Sequence, residues 1–547
     1  MKKKLVSILT ATVMALSLAA CGGGAAATSS AAGSTSTASS AASAETTASG
    51  SKDLVIGCAV DIVTLDPGRA YELYAGTVIN ACYDTLFRFE HGNTEPVNDL
   101  ATGYEFSEDG LTCTIKLVDN ATFSSGNPVT SKDVAFSLMR LKNLQDNPAF
   151  IMDSVDSIET PDDTTAVFHL NQPDASLIAK LTYVATAIID STALSEQGAT
   201  DAADAATADT ATSAMDAASY GSGPYVMTKY SADEEIVMER NESYWGETVP
   251  AADSYTIQVM DDANTQMMAL TQGDIDIAMN LNNDTVEQLG TDGSVLSSSE
   301  STMTMVFLYM NMNTEFGPIS DPKVQQAIRM AVDFEGLRTM AGEGSVTPLS
   351  FIQEGFGSCI GERTTERDVE GAKALLEEAG YADGLTIDFP CCTLSAEGLP
   401  LTDIAQKVAS DLSEIGITLN ISTVDWAGGY ADDYRNGDIG FSVMYWSPDY
   451  QDPVSQLAFM PGESVALRAG WTADMNPDLV TLTESVKTET DPAARDEMLK
   501  TLQEGTSEEG PFLTLFQCPK HFGYRSDLTN VNYSDSYRLD LREIAIS

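Results

Sequence analysis

Three successive patterns of apolar and polar residues divide the chain. Residues 5–18 are apolar apart from two serines and two threonines, and three lysines precede them. Residues 22–51 are almost entirely Gly, Ala, Ser and Thr, with one glutamate as the only charge. From Leu54 onward, strand-like and helix-like periods alternate along the rest of the chain. The pattern predicts a targeting segment, a linker and a long folded region.

The first apolar run has the features of an export signal. It is shorter than the ~20 residues that a membrane-spanning helix needs, so residues 1–20 are predicted to be a secretory signal peptide. It ends in Leu-Ala-Ala-Cys21, which resembles a bacterial lipobox, a motif whose cysteine is acylated and becomes the mature N-terminus. The alternative is an ordinary signal with a chance cysteine. Two acyl chains on Cys21 would hold the protein on the outer face of the bacterial cytoplasmic membrane.

The linker and the net charge narrow the possible partners. Residues 21–51 cannot bury a core and are predicted to be a disordered, lipid-anchored linker, with a reach of roughly 30 Å as a flexible coil. The chain carries 81 Asp and Glu against 29 Lys and Arg, a net charge of −52. This charge argues against nucleic acid and anionic lipid as partners. It leaves a preference for cationic ligands open.

Cysteine and histidine usage gives no indication of a metal or catalytic site. Seven cysteines remain beyond Cys21, without a Cys-x-x-Cys pair, and we expect buried free thiols rather than a zinc site. The three histidines are far apart in the sequence, and no Gly-x-Ser-x-Gly or His-Glu-x-x-His motif occurs. We therefore expect no catalytic residues, no metal and no cofactor.

Apolar periodicity predicts a mixture of helices and strands. A buried strand is expected over residues 54–63 and a helix starting at Thr130 or Ser131, whose hydroxyl groups suit an N-cap. Residues 198–219 are rich in Ala, Asp and Thr, which makes a stable helix doubtful and predicts a surface insertion. Further strands are predicted at 255–260, 302–312, 418–424 and 440–444, and further helices at 264–271, 325–332, 372–379 and 404–415. This alternation favours an α/β fold.

Several segments together resemble one protein family. They are Leu65-Asp66-Pro67, Tyr83-x-x-Leu86, residues 123–140, Gly221-x-Gly-Pro-Tyr225 and Asn241-x-x-Tyr-Trp245. On these segments the chain resembles the peptide- and nickel-binding group of ABC-importer substrate-binding proteins, the extracellular solute-binding family 5. The resemblance extends from about Leu54 to the C-terminus, and residues 123–140 are its most specific part.

The resemblance implies a two-lobed α/β fold of the periplasmic-binding-protein type with an extra domain, mixed sheets and a hinge. Chain crossings near Thr302 and Glu509 would form the hinge, and closure of one lobe on the other would bury the ligand. The implied domains are domain I (52–82, 223–301 and 510–547), domain II (83–222) and domain III (302–509), the second ligand-binding lobe.

The segment 445–453 is the strongest candidate for ligand contact. It follows a predicted strand and combines three aromatic residues, two carboxylates and two prolines, which suits a stiff loop with aromatic walls and an anionic anchor. Peptide-binding members of the family have Trp-x-x-Asp here, and the aspartate takes the ligand's α-ammonium group. The resemblance carries this role to Trp446 and Asp449. The alternative is that Asp449 caps a turn and Trp446 belongs to the core.

Other candidate contacts complete the expected site. Peptide backbone would pair with a strand edge near Asp61, Ile62 and Val63. The remaining ligand-binding candidates are Tyr445 and Tyr450 in the aromatic segment, and Tyr309 in a segment similar to the family's Tyr-x-x-x-Asn.

The resemblance implies a receptor rather than an enzyme. It would capture peptides between its lobes and deliver them to the permease and ATPase subunits of an ABC importer. Two alternatives stay open. The same architecture binds another solute, such as a metal chelate, an opine or a glycoside, or the chain is an exported hydrolase.

Overall fold

The structure is a computed structural model that describes residues 52–547 except 61, 93–94, 233, 249, 290–292 and 365. The predicted signal peptide, linker and lipidation site Cys21 lie outside this part, as does Asp61, so these predictions are untested. Within the described residues, no helix combines the length and apolar character that crossing a membrane requires.

Strands occur along the whole described chain. They are β1 (Asp53–Cys58), β2 (Phe87–Arg88), β3 (Val97–Asn98), β4 (Ala101–Phe106), β5 (Thr112–Leu117), β6 (Val155–Asp162), β7 (Thr165–Leu170), β8 (Tyr225–Ser231), β9 (Glu235–Arg240), β10 (Ser254–Val259), β11 (Ile277–Leu281), β12 (Val295–Met310), β13 (Leu385–Cys392), β14 (Ser395–Ala396), β15 (Leu399–Pro400), β16 (Ile417–Val424), β17 (Phe441–Trp446), β18 (Phe512–Arg525), β19 (Leu528–Thr529), β20 (Tyr533–Ser534), β21 (Arg538–Leu539) and β22 (Ala545–Ile546).

Helices alternate with these strands. They are α1 (Leu73–Cys82), α2 (Ser131–Leu144), α3 (Leu177–Lys180), α4 (Ser191–Ser195), α5 (Ala205–Ala208), α6 (Thr212–Ala217), α7 (Ala263–Gln272), α8 (Asn283–Gln288), α9 (Pro322–Ala331), α10 (Phe334–Ala341), α11 (Val369–Glu378), α12 (Leu401–Ser413), α13 (Ala431–Asn436), α14 (Ser464–Arg468), α15 (Pro477–Thr488) and α16 (Pro492–Glu509). Short 3-10 turns occur at Asn147–Met152, Val184–Thr186, Thr314–Ser320, Pro453–Phe459 and Ala473–Met475, with a π turn at Trp426–Tyr430.

One eight-stranded sheet extends through the molecule in the order β17-β12-β18-β11-β1-β10-β9-β8. Its long strands β12 and β18 are antiparallel, and β18 contributes buried residues to both of the large hydrophobic cores. Buried residues of one core lie between Leu54 and Met279 and from Phe522 onward, with Tyr450 in addition, and those of the other lie between Met303 and Cys518. We call residues 52–300 with 520–547 the first lobe, and residues 304–517 the second lobe.

The chain passes between the lobes at one place in the β12–β18 ladder. The register shifts between Ser301 and Met305, opposite Pro519 and Gln517, and proline cannot donate to a ladder. Side chains bridge the gap, because the Thr302 hydroxyl donates to the Cys518 carbonyl over 2.9 Å and the Gln517 amide donates to the Thr302 carbonyl over 2.8 Å. We call Ser301–Met303 with Gln517–Pro519 the crossing.

The predicted domain division stays a prediction, but two observations bear on it. The first crossing segment contains Thr302, where the first chain crossing was predicted. The change of core in the last long strand falls after Cys518, later in the chain than the predicted crossing at Glu509. A separate four-stranded antiparallel sheet, β4-β5-β7-β6, lies within the predicted second domain.

Local sequence signals placed several elements well. Helix α2 begins after Thr130, and the Thr130 hydroxyl and Asp133 carboxylate form a capping box, so the predicted helix start is confirmed. Strand β16 occurs within one residue of its expected bounds.

Expectations for two other segments were wrong. The first strand ends at Cys58 instead of Val63, because the Ala59 amide donates to the Asn280 side chain rather than continuing a ladder. The expected surface insertion, residues 198–219, forms α5 and α6, and Met215 is fully buried. Its Asp209 carboxylate pairs with the buried Arg140 guanidinium, a tertiary partner that local composition could not reveal.

Candidate ligand-binding cleft

The aromatic segment starts inside the edge strand of the large sheet. Tyr445 and Trp446 are the last residues of β17, and they pair with Val306 and Met305 of β12. The predicted strand ended at Met444, so the ladder holds two more residues than expected. Pairing to β12 fixes both side chains on the second lobe, next to the crossing.

Trp446 lies half-buried at this edge and packs edge-on against Phe459, with ring centroids 5.8 Å apart. Its indole N–H is buried and meets no acceptor among the described residues. A buried donor without a partner is costly in a folded protein, so this N–H would gain from an acceptor. The indole is therefore a packing group whose N–H has no acceptor in the described structure.

Asp449 reaches across to the first lobe. Its carboxylate accepts a hydrogen bond from the hydroxyl of Tyr71, which lies just before α1 and is 37% exposed. Among the described residues, no lysine or arginine forms an ion pair with Asp449. The carboxylate thus faces the opposite lobe with a neutral donor as its partner.

The loop that carries Asp449 is anchored on both lobes. Tyr450 is 8% exposed and packs in the core of the first lobe, with the Lys180 ammonium 5.5 Å from its ring centroid. Asp452 returns the chain to the second lobe, where it caps the next 3-10 turn through the Val454 amide and pairs with Arg495. These contacts hold the Asp449 carboxylate in place between the lobes.

The electrostatic surroundings of Asp449 favour a cation. Burial raises the pKa of its carboxyl group above the ordinary value, and the Tyr71 hydrogen bond opposes this only in part. The nearby phenol of Tyr183 also has a raised pKa, because it is buried and lies close to the charges of Asp449 and Glu72. The Asp449 carboxylate therefore lies in a site lined by the phenol groups of Tyr71 and Tyr183. A ligand ammonium group would supply the missing positive charge.

The remaining predicted contacts lie elsewhere. Tyr309 is 1% exposed inside the second core, with its ring 5.4 Å from that of Tyr434, so it is placed as a packing residue. The Ile62 carbonyl accepts from Tyr230, and Val63 is 75% exposed in a bend. Ile62 and Val63 belong to no strand, so the expected strand edge is not formed there.

A second contact between the lobes was not expected from the sequence. The Glu397 carboxylate, on the second lobe, accepts from Arg538 of the first lobe over 2.9 Å and from Lys520 over 3.3 Å. The Thr304 hydroxyl donates to Glu397 over 3.0 Å and contacts the Ser447 hydroxyl at 2.8 Å. This cluster therefore adjoins the loop that carries Asp449.

Sequence reasoning missed Tyr71, Glu72, Tyr183 and the Glu397 cluster for one reason. Each lies in a segment without a distinctive motif, and only the tertiary fold brings it to the cleft. The one local signal is the turn Glu397-Gly398, which separates the two short strands of a hairpin. It predicts a hairpin but not the partner of the glutamate.

Metal and disulfide chemistry find no support in the described residues. No group of three or more His, Cys, Asp or Glu side chains there is placed to hold a metal ion. The seven cysteines of this part are free thiols, as predicted, and all but the half-buried Cys359 are buried.

Comparison with known proteins agrees with this architecture. Two lobes joined by long strands are typical of solute-binding proteins. A family model for bacterial extracellular solute-binding proteins, family 5, matches residues 95–466, and the chain belongs to this family. The family expected from the sequence motifs is thereby confirmed.

Curated relatives are similar over most of their length. The probable D,D-dipeptide-binding periplasmic protein DdpA of Escherichia coli is 25% identical over 472 residues, which cover 85% of this chain and 88% of the relative. Heme-binding protein A of Haemophilus influenzae is 28% identical over 419 residues, which cover 71% of this chain and 74% of the relative.

A solved structure shows the same fold. The ABC transporter-associated periplasmic binding protein DppA from Helicobacter pylori, in complex with peptide STSA, superposes with a TM-score of 0.70 at 22% identity. The match covers 90% of this chain and 98% of that chain. The predicted two-lobed α/β class is confirmed.

Proposed function

We propose that this protein is an exported receptor that captures peptides between its two lobes and delivers them to the permease and ATPase subunits of an ABC importer. The observation that supports this proposal most directly is the position of the Asp449 carboxylate, which faces the first lobe without a cationic partner in the described structure. The relatives support this proposal, because one is named for dipeptides and the Helicobacter pylori structure holds a peptide.

The chemistry of capture follows from the cleft. A peptide's α-ammonium group loses its hydration between the lobes and recovers it through charge-assisted hydrogen bonds to Asp449, with Glu72 nearby. Tyr445 and Trp446 form an aromatic wall on the second lobe, and the free indole N–H of Trp446 offers a donor to a peptide carbonyl group. In this proposal the protein binds and releases its ligand without chemical change.

The test compares two proteins and two ligands by titration calorimetry. Asp449→Asn keeps the shape and removes the charge, and truncating one member of a buried charge pair costs about 2–5 kcal/mol. We expect the variant to lose at least roughly tenfold in affinity for free-amine peptides, since ~1.4 kcal/mol corresponds to a factor of ten. N-acetylated peptides should bind both proteins equally weakly.

The matched control is Asp156→Asn, which removes an exposed carboxylate from β6, away from the cleft. It should bind both peptides as the wild type does. If the wild type and Asp449→Asn bind free-amine and N-acetylated peptides with the same affinity, Asp449 is structural. A ligand panel that includes heme and a nickel chelate tests the alternative of a non-peptide solute.

Anchoring through Cys21 is the second part of the proposal. It rests on the Leu-Ala-Ala-Cys motif at the end of the predicted signal peptide. Cells that express the wild type in the presence of a radioactive fatty acid should yield labelled protein in the membrane fraction. Cys21→Ser should remove the label, and retained label on this variant would contradict the lipidation site.

A further inference from the structure

Glu397 occupies an unusual position for a glutamate. Strands β14 and β15 pair Ala396 with Leu399, so Glu397 and Gly398 form a two-residue turn. Both have positive φ, 45° and 87°, as a type I′ turn requires. Asn, Asp and Gly suit such positions, whereas a longer side chain costs free energy there. The residue is therefore held in this turn against its backbone preference.

Its side chain is almost completely buried among cations. The Glu397, Lys520 and Arg538 side chains are 6%, 5% and 6% exposed, and both carboxylate oxygens accept hydrogen bonds. Arg538 itself has φ of 67°, so both residues of this ion pair adopt a strained backbone conformation. Two strained residues that meet in a buried pair indicate a contact that the fold maintains at a cost.

The pair joins the lobes beside the crossing. The hairpin of Glu397 packs in the second core through Ala396, whereas Arg538 lies in the β20–β21 segment, whose neighbours Tyr537 and Leu539 pack in the first core. Lys520 directly follows the crossing on β18, and Thr304 is the first residue of the second lobe on β12. Separation of the lobes would pull a buried carboxylate from its cations.

We propose that Glu397 is a positioning residue that holds the lobes together and so sets the fraction of the protein in the closed arrangement, defined by the Tyr71–Asp449 hydrogen bond. Its cations come from the chain itself, so it needs no ligand to form the contact. Because ligands bind the closed arrangement, their apparent affinity scales with that fraction. Only the expected effect on ligand affinity rests on the proposed peptide function.

The test uses two variants that remove the charge in different ways. Glu397→Gln keeps the length of the side chain, and Glu397→Asn suits the positive φ of the turn, which protects the hairpin if the first variant folds poorly. Glu377→Gln removes an exposed glutamate from α11 and is the control. Small-angle scattering of each protein without ligand measures the radius of gyration, and calorimetry measures affinity.

We expect a larger radius of gyration for both Glu397 variants, with the control unchanged. Affinity should fall by a common factor of about five- to a hundredfold for free-amine, N-acetylated and C-amidated peptides, the usual range of a coupling between conformation and binding. The ratio between free-amine and acetylated peptides should stay that of the wild type.

Three results would overturn the proposal. A loss that differs between C-amidated and free-acid peptides would make Glu397 a ligand contact. An unchanged radius of gyration and affinity with a lower Tm would make it purely structural. An Asn variant that is more stable and binds as well as the wild type would show that the turn alone matters. Scattering needs no peptide, so it decides this point even if the peptide function fails.

Discussion

Two carboxylates of the second lobe reach toward the first, and they have opposite kinds of partner. Asp449 accepts from the neutral phenol of Tyr71 and pairs with no cation of the described chain. Glu397 accepts from Arg538 and Lys520, both buried. The same chemical group thus occurs twice between the lobes, once without and once with its counterion.

The pKa values express this difference. Burial alone would raise the pKa of both groups, and it does raise that of Asp449. For Glu397, Arg538 and Lys520 outweigh burial and lower the pKa from 4.5 to about 2. A carboxylate that is buried with its own cations therefore stabilises the fold, whereas one without them is suited to an external cation.

The largest expected effect comes from removing a cation of the paired carboxylate. Arg538→Met leaves the buried Glu397 with Lys520 alone, and breaking a buried pair costs about 3–5 kcal/mol. We expect the free energy of unfolding in urea to fall by about this amount. Asp449→Asn, which removes a desolvated charge without a counterion, should leave this quantity unchanged or slightly raised. Similar losses in both variants would erase the distinction between the two carboxylates.

A second prediction separates the carboxylates by pH. Glu397 has a lower pKa folded than unfolded, so its contribution to stability is complete above about pH 4.5 and disappears as the pH falls toward 2. Asp449 must be ionised to bind an ammonium group, and its pKa is raised. Peptide affinity should therefore decline with falling pH at a higher pH than an ordinary aspartate would cause, by up to about tenfold per unit below that pKa. The Glu397 contribution should be lost only as the pH falls below about 4.5.

Calorimetry at pH 7, 6, 5 and 4.5 measures the affinity, and Asp449→Asn is the reference that should show a flatter profile. Burial raises the pKa of Asp535 to about 6. Because both proteins contain Asp535, its effect on affinity cancels when the two profiles are compared. Urea unfolding of the wild type and Glu397→Gln at the same pH values measures the contribution of Glu397 to the free energy of unfolding. Identical affinity profiles for wild type and Asp449→Asn would show that Asp449 does not bind the amine.

Local sequence signals predicted much of the fold. The Thr130–Asp133 capping box marks the start of α2, and the apolar run before Tyr445 marks β17, since these signals act within a few residues. The family motifs supplied the two-lobed arrangement. What failed depends on distant partners: Arg140 orders residues that looked like a loose insertion, and Asn280 ends the first strand.

The site was predicted only in part for the same physical reason. A loop with Trp446, Asp449 and Tyr450 stands out by composition, and the structure brings this loop between the lobes. Tyr309 was also predicted as an aromatic ligand contact, but it lies in the core. Composition alone does not tell which face of a strand is buried. Tyr71 and Glu397 carry no signal, since their roles arise from residues that are far away in the sequence.

The smallest expected effect concerns the one hydrogen bond that Asp449 receives from the first lobe. The Tyr71 hydroxyl stabilises the ionised carboxylate and lowers its pKa, against the effect of burial. Tyr71→Phe removes this donor and keeps the ring, and a hydrogen bond of this kind contributes about 0.5–1.5 kcal/mol. The pH at which peptide affinity declines should move upward, because the donor that lowers the pKa of the Asp449 carboxyl group is gone. In the Asp449→Asn background the substitution should cause no shift, because no carboxylate remains to titrate. A shift of equal size in that background would show that Tyr71 acts on binding through another group.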